Sequence, residues 1–179
     1  SRAQAPRTPQ KTNVSKSSQF TTLQLPNDFD PRTLLTGPDS ASVSAYYERP
    51  SQDLVFVGIG EAAHIEVPAG HGPAAIRDPA LRLLRPEGSN IEGYLRPRLL
   101  GGFAFDPSTP QGGTWSGFDS GWLVLPRLLF IHEDGHSGVT VAPGHDPSEV
   151  NELLARSAQA TLTPSDKSIS STTPLRVLW

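Results

Sequence analysis

The sequence predicts an α+β domain in which antiparallel β-strands dominate, and three features of the chain support this class. Two extended runs, residues 43–49 and 53–59, are separated by a Pro-Ser-Gln tripeptide, which is the length of a hairpin connection. A long apolar run, residues 121–132, leads into Asp134-Gly135, one of the strongest hairpin signals. A segment beginning at Asp146 has the apolar spacing of an amphipathic helix.

The chain is expected to begin with a disordered tail that is followed by a first strand. Residues 1–19 contain no acidic residue and lack the apolar block of a secretory signal. This composition is typical of a disordered bacterial tail, and organelle transit peptides share it. Residues 20–25 form a candidate strand that Pro26 ends, and residues 31–37 can form a single helical turn.

Prolines and glycines divide the middle of the chain into short elements. Residues 66–73 are rich in both and cannot be helical. Asp78 and Pro79 supply an N-cap and a first-turn proline for a short helix that ends before Pro86. After a loop, residues 99–106 form the next predicted strand.

The C-terminal elements are a hairpin and a helix. The apolar strand 121–132 contains Pro126, which implies an edge position or a β-bulge. Residues 138–142 complete the hairpin after the Asp-Gly turn. The sequence Asp-Pro-Ser-Glu at 146–149 then resembles an N-cap, a first-turn proline and a capping glutamate, and apolar residues follow at helical spacing.

Composition narrows the classes of partner. The net charge is −3 with a pI near 5.9, so no basic field favours nucleic acid or an anionic membrane. The most apolar run, residues 122–131, is short and is interrupted by Pro126 and Arg127, so no membrane span is predicted. The absence of Cys excludes disulfides, thiol catalysis and thiolate metal sites. The expected location is the cytoplasm.

Residues 58–63 read Gly-x-Gly-x-x-Ala after a strand, with Asp78 about twenty residues beyond, like a dinucleotide-binding fingerprint. That fingerprint requires its glycine turn to open a helix, because the helix N-terminus binds the pyrophosphate. About seven residues separate Gly60 from Pro68, too few for a crossover helix. The segment is therefore interpreted as continuing strand or loop.

Residues 132–136 read His-Glu-Asp-Gly-His, which matches the H-E-x-x-H pattern of zinc metalloproteases. Zinc binding requires both histidines on one helix face, whereas the residues before His132 are strand-like and Asp-Gly favours a turn. In a tight turn His132 and His136 would flank the tip without sharing a face. A surface hairpin is therefore preferred, and metal-dependent hydrolysis stays a hypothesis that metal analysis can test.

The remaining candidates are isolated. His64 and His71 lie near the Gly/Pro-rich loop, and Trp115, Phe118 and Trp122 could line a pocket, although packing is the usual role of aromatic residues. No nucleophile elbow of the G-x-S-x-G type occurs. No catalytic, cofactor-binding or metal-ligating residue is assigned on this chain.

Three segments, taken in order, carry a resemblance to one family. They are Y-Y-E-R-P-S-Q-D-L-V-F-V-G-I-G-E-A at 46–62, P-R-L-L-G-G-F-A-F-D-P at 97–107, and W-S-G-F at 115–118 followed by L-V-L-P-R-L-L-F at 123–130. Their order and spacing resemble the N-terminal strands of isochorismate synthases, which are chorismate-utilising enzymes. The resemblance implies that Gly58 and Gly60 are sheet positions where neighbouring chain approaches closely.

The resemblance also implies an architecture. The chain would be the antiparallel, β-rich half of a layered α/β/β/α sandwich of the chorismate-utilising type. Residues 20–160 would form the N-terminal domain, and residues 161–179 a linker and the start of a missing catalytic portion. Apolar sheet surface would then be exposed in the isolated chain, so we expect it to self-associate or to bind the missing portion.

The activity implied by the resemblance is conversion of chorismate to isochorismate, in a pathway to menaquinone or a siderophore. In this isomerase family, water adds at C2 with loss of the C4 hydroxyl, using a Lys base, a Glu acid and Mg²⁺ held by further Glu residues. The family's Lys-Val-Val-Leu-Ala-Arg type motif matches no position here. The full-length enzyme is therefore expected to carry chorismate and Mg²⁺, and this chain alone to be inactive.

Two alternatives remain beside this interpretation. The chain could belong to another chorismate-utilising synthase component, such as that of anthranilate or aminodeoxychorismate synthesis, although their Leu-Leu-Glu-Ser type motif is not found. It could also be a stand-alone, non-enzymatic module that binds a small molecule or a protein.

Overall fold

A computed structural model describes residues 18–86, 91, 93–104, 106 and 120–162 of the chain. Most of the predicted tail 1–19 and most of the predicted linker 161–179 lie outside these residues. The described strands and helices, in chain order, are β1 (Thr21–Leu25), β2 (Val43–Arg49), β3 (Leu54–Glu66), α1 (Arg77–Leu84), β4 (Leu100–Phe103), β5 (Gly121–Glu133), β6 (His136–Val141) and α2 (Ser148–Leu162).

The strands form one antiparallel sheet in the order β1-β6-β5-β3-β2, which confirms the α+β, antiparallel class. Strand β5 is the centre of this sheet. It pairs with β3 along its whole length, from Glu133 opposite Leu54 to Trp122 opposite Glu66. On its other side β6 pairs with residues 128–133 and β4 with residues 121–124.

Both predicted hairpins are present. Strands β2 and β3 pair from Arg49 opposite Leu54, and β5 and β6 from Glu133 opposite His136. Each turn contains an aspartate with a left-handed backbone, Asp53 at φ 45° and Asp134 at φ 50°. Aspartate tolerates this conformation better than most non-glycine residues, which explains its place in both turns.

Pro126 lies in the middle of the central strand. Of the two predicted alternatives, an edge position or a bulge, the structure has the bulge, which lies in the facing strand, while β5 has partners on both sides. The register with β3 shifts between Glu61 and Ala63, directly opposite Pro126. On the other side of β5, Pro126 falls between the segments that pair with β4 and with β6. Pro126, which has no backbone N–H to donate, thus lies where the hydrogen-bond ladders on both sides of β5 are irregular.

The two glycines of the Gly-x-Gly segment lie inside β3, which continues to Glu66 and opens no helix. A Cβ atom on Gly58 would lie 2.8 Å from Cγ of Pro126 and 3.1 Å from Oγ of Ser44. Gly60 has φ 62° and faces the guanidinium of Arg127. Close approach of Pro126 explains Gly58, and the left-handed backbone explains Gly60. The dinucleotide turn is absent from this strand.

The sheet carries apolar side chains on both faces. On the first face Val57, Ile59 and Phe130 pack with Val150 and Leu153 of helix α2. On the second face the buried residues are Phe56, Leu129, Ile131 and Leu95, the last from a 3-10 turn at Gly93–Leu95. The second face is the one that remains partly open.

The helix starts were predicted with unequal success. The N-cap prediction for α1 is wrong: the helix begins at Arg77, because a 3-10 turn at Pro73–Ile76 runs directly into it, and Asp78 lies in its first turn. For α2, Oδ1 of Asp146 accepts a hydrogen bond of 2.9 Å from the N–H of Ser148, as an N-cap does. This bond lowers the pKa of Asp146.

Strand β4 is shorter than predicted and covers residues 100–103 of the expected 99–106. Phe103 is 42% exposed, so this strand contributes little to the core. Phe105, predicted to share its face, lies outside the described residues.

Replacement of Gly58 by Ala tests the contact with Pro126. The added methyl group would overlap a proline ring held in the central strand, so we expect a loss of about 1–3 kcal/mol in unfolding free energy, measured by urea denaturation. Gly72→Ala is the matched control, because Gly72 has a negative φ and no heavy atom lies within 4 Å of the added Cβ. Equal effects of the two substitutions would contradict the assignment.

Candidate functional site

A groove of about 1350 Å³ lies on the second face of the sheet. Helix α1 forms one wall and residues 96–100 form another. Its floor is apolar and includes Leu54, Phe56, Leu100 and Leu123. The polar groups that line it are mainly cationic: Arg85, Arg96 and Arg98.

Arg98 is the anchored cation of the groove. Its side chain is 14% exposed and its guanidinium carbon lies 4.4 Å from the ring centroid of Phe56. Nη2 donates to Oε2 of Glu133 at 3.1 Å, and Nη1 donates to the carbonyl of Tyr94 at 2.8 Å. Burial lowers the pKa of Arg98 and the charge of Arg96 adds to this effect, while Glu133 opposes both.

The groove therefore has an excess of positive charge. Glu133 is the acidic residue among its described lining residues, and it is engaged by Arg98. Arg85 and Arg96 form no ion pair with another described residue. The described lining offers no His, Ser, Thr, Lys or Asp that could act as nucleophile or general base. The arrangement can bind an apolar surface that carries anionic groups.

The H-E-x-x-H residues form the β5–β6 hairpin, as the turn signal predicted. His132 pairs with Ser137 and His136 pairs with Glu133, so the two histidines lie on opposite faces of the ladder. Within the described ranges, no group of three or more His, Cys, Asp or Glu is placed to hold a metal ion. The helix that a zinc protease motif requires is absent from these residues.

The other sequence candidates are dispersed. The ring of His64 stacks on Trp122 with centroids 6.1 Å apart, and its Nδ1 lies 3.6 Å from Oε1 of Glu61. His71 is exposed, and its ring Nδ1 lies 3.0 Å from the carbonyl oxygen of Ala69. Trp122 is thus packed on the sheet surface, while Trp115 and Phe118 lie outside the described residues.

Sequence reasoning did not find the groove, although one signal was available. In β3, residues 54–57 are all apolar, and they alternate between the two faces of the sheet. Such a strand is buried on both sides, so another structural element must pack against each face of the sheet. The cation–π contact of Arg98 with Phe56 had no sequence signal, because the two residues are far apart in the chain.

Replacement of Glu133 by Gln tests the anchoring of Arg98. The substitution keeps the shape of the side chain and leaves the buried guanidinium without its counter-charge, so we expect a loss of about 1–3 kcal/mol in unfolding free energy. Glu66→Gln is the control, because the Glu66 side chain is 77% exposed and its change should stay within about 0.5 kcal/mol. Stability that is unchanged in Glu133→Gln would show that the pair is unimportant.

No described helix is both long and apolar enough to cross a membrane.

Comparisons with known proteins identify relatives of this chain. It is 32% identical over 97 residues to the salicylate biosynthesis isochorismate synthase of Pseudomonas aeruginosa, a match that covers 53% of this chain and 19% of the relative. The chain thus spans about a fifth of the length of this curated relative. Among solved structures, MenF, the menaquinone-specific isochorismate synthase from Escherichia coli, is 18% identical with a TM-score of 0.43, over 84% of this chain and 30% of that chain.

The family comparison covers almost the whole sequence. The profile of the family described as chorismate binding enzyme matches residues 4–176. The resemblance drawn from the three strand motifs is confirmed, and this chain belongs to the chorismate binding enzyme family.

Proposed function

We propose that this chain is the N-terminal, β-rich part of an isochorismate synthase, an isomerase that converts chorismate to isochorismate. The observation that carries the proposal is the 32% identity to an isochorismate synthase, together with the family match over residues 4–176. The names of the two relatives mention salicylate biosynthesis and menaquinone, and we propose a related cytoplasmic pathway for this protein.

The reaction requires groups that the described residues do not bring together. Water adds at C2 of chorismate while the C4 hydroxyl departs, so a base must activate the water and an acid must protonate the leaving group. The described groove offers one carboxylate, Glu133, which is held by Arg98. We therefore assign the acid–base groups to the remainder of a longer protein, whose relative is about five times the length that this chain matches.

Mg²⁺ is part of the proposal for the longer protein only. A Mg²⁺ site needs several oxygen ligands in an octahedral arrangement. The described residues supply no group of three or more acidic or histidine side chains in the right placement, so they do not fit this ion. No step of the reaction is derived through a metal on this chain.

The groove is the surface that we propose for contact with the rest of the longer protein. Its floor is apolar, and Leu81 on its rim is 40% exposed, so the apolar surface continues from the floor to the rim. Tyr47, stacked on Phe56 with centroids 5.8 Å apart, is 45% exposed. The scarcity of reactive side chains in the groove also favours one alternative, a stand-alone module that binds another protein.

The activity proposal is tested with purified protein and chorismate. We expect the full-length protein to form isochorismate in the presence of Mg²⁺, detected by chromatography of the products, and the 179-residue chain to form none. Turnover by the 179-residue chain would contradict the assignment of the catalytic groups. A full-length protein that instead forms anthranilate or aminodeoxychorismate would favour another chorismate-utilising enzyme.

The contact proposal is tested by association of the 179-residue chain alone. We expect it to form oligomers by light scattering and to bind a hydrophobic dye, because the apolar groove is uncovered. Leu81→Lys should reduce both signals without lowering stability, since the side chain is already partly exposed. Ala75→Lys, also exposed but outside the groove, is the control. A monomer that is silent to the dye would refute this part of the proposal.

A further inference from the structure

The H-E-x-x-H segment has a role that neither zinc binding nor the proposed activity explains. His132 and Ser137 face each other across the β5–β6 ladder, on the sheet face that also carries Phe130. Asp53, from the turn between β2 and β3, approaches the same ring. The three side chains form a Ser-His-Asp arrangement at one end of the sheet, which we call the hairpin clasp.

The hairpin clasp cannot act as a nucleophilic triad. Ser137 is completely buried, and its Oγ lies 2.7 Å from the carbonyl oxygen of Phe29. A carbonyl only accepts hydrogen bonds, so the single hydroxyl proton of Ser137 is donated to Phe29. The serine is neither accessible to a substrate nor free to pass its proton to the histidine.

The direction of the hydrogen bond from Ser137 to Phe29 determines which ring nitrogens of His132 carry a proton. Nδ1 lies 2.7 Å from Oγ of Ser137, whose proton is already used, so Nδ1 must donate. Nε2 lies 3.2 Å from Oδ2 of Asp53, and a carboxylate also only accepts, so Nε2 must donate as well. Either neutral tautomer would place two lone pairs against each other. All contacts are satisfied only by the imidazolium form.

The imidazolium would connect three segments of the chain. Asp53 also accepts a 3.1 Å hydrogen bond from the N–H of Gly135 at the tip of the neighbouring hairpin. Phe29 lies in the connection after β1. The clasp therefore ties the β2–β3 turn, the β5–β6 turn and the β1 connection to one protonated ring.

The surrounding charges favour the cation. Asp53 faces the ring from the β2–β3 turn, and Asp30 lies close to it in the connection after β1. The pKa of Asp30 is lowered chiefly by its hydrogen bond with Arg32, and the positive charge of His132 contributes to the same shift. Arg32 is paired with Asp30 at 2.9 Å and lies 4.0 Å from Glu48 of β2, so its charge is balanced.

We propose that His132 is a proton-dependent clasp that holds the two hairpin turns together when it is charged and releases them when it loses a proton. The sign follows from linkage: the folded, closed form binds one proton more than the open form. The stability that the clasp contributes is therefore present when the ring is charged at low pH, and it is lost as rising pH removes that proton.

The experiment measures amide hydrogen exchange of Gly135 in the full-length protein, with each rate divided by the intrinsic rate at the same pH. Between about pH 5.5 and pH 8.5 we expect the protection of Gly135 to fall about tenfold, the loss of one charge-assisted hydrogen bond. Nitrogen chemical shifts of the His132 ring should show both nitrogens protonated at the lower pH. Amides of helix α2 serve as the internal reference.

Two variants separate the charge from the shape of the clasp. In His132→Gln the side chain cannot titrate, so the pH dependence should disappear. Asp53→Asn tolerates the left-handed backbone and keeps an oxygen for the N–H of Gly135, but it removes the carboxylate charge that faces the ring of His132, so the pH-dependent loss of protection should become smaller while the turn is preserved. His71→Gln, at an exposed histidine outside the clasp, should leave the pH dependence intact.

Three results would overturn the proposal. The first is a normalised protection of Gly135 that is equal at both pH values in the unmodified protein. The second is a pH dependence in Asp53→Asn that is as large as in the unmodified protein, and this comparison is decisive if His132→Gln fails to fold. The third is a neutral His132 ring at the lower pH. None of these depends on the activity of the enzyme.

Discussion

The pairing of β5 with its neighbours is the constraint on which the rest of the structure depends. This strand of 13 residues is the only one among the described strands that pairs with three others, β3, β4 and β6. Its register fixes the position of the bulge opposite Pro126, and the absence of a side chain on Gly58 makes room for that proline ring. The hairpin clasp and the ion pair of Arg98 then follow from its last two residues. Because side chains alternate, His132 points to the face of Phe130 and Glu133 points to the groove.

Much of this fold could be predicted from the sequence, because its strongest signals are local. The Asp-Gly turn, the Pro-Ser-Gln connection and the cap at Asp146 each act within a few residues, and all three predictions are confirmed. The error at helix α1 arises because a neighbouring element intervenes: a 3-10 turn feeds into the helix, which therefore begins before Asp78. For Pro126 the sequence left two alternatives open, and the facing strand decides between them by providing the bulge. The groove could not be predicted from the sequence, because Phe56 and Arg98 are distant in the chain and come into contact only when the sheet has formed.

The H-E-x-x-H and Gly-x-Gly-x-x-Ala motifs do not have their usual functions here, because both functions require a helix and both motifs lie in strands and turns. A spacing of i and i+4 brings side chains together on a helix, whereas across a two-residue turn it separates them onto opposite faces. The glycines of Gly-x-Gly-x-x-Ala likewise serve a strand that packs closely on Pro126 and Arg127, with no helix N-terminus to receive a phosphate. The same residues therefore do different chemistry in the two contexts. Here the histidine of the zinc-like motif is placed against a buried hydroxyl and a carboxylate, which is an arrangement for holding a proton rather than a metal ion.

The unequal covering of the two sheet faces connects this fold to its proposed role. Strands β3 and β5 are apolar on both sides, so neither face of their pair is suited to water. Helix α2 covers the first face with Val150 and Leu153, whereas the second face is covered by a 3-10 turn and a short helix that leave the groove open. A sheet with one polar face can expose that face to water, but the paired strands β3 and β5 have no such face. The apolar floor, together with Arg85 and Arg96, which form no ion pair with a described residue, therefore favours a third layer, and that layer should present carboxylates at its rim.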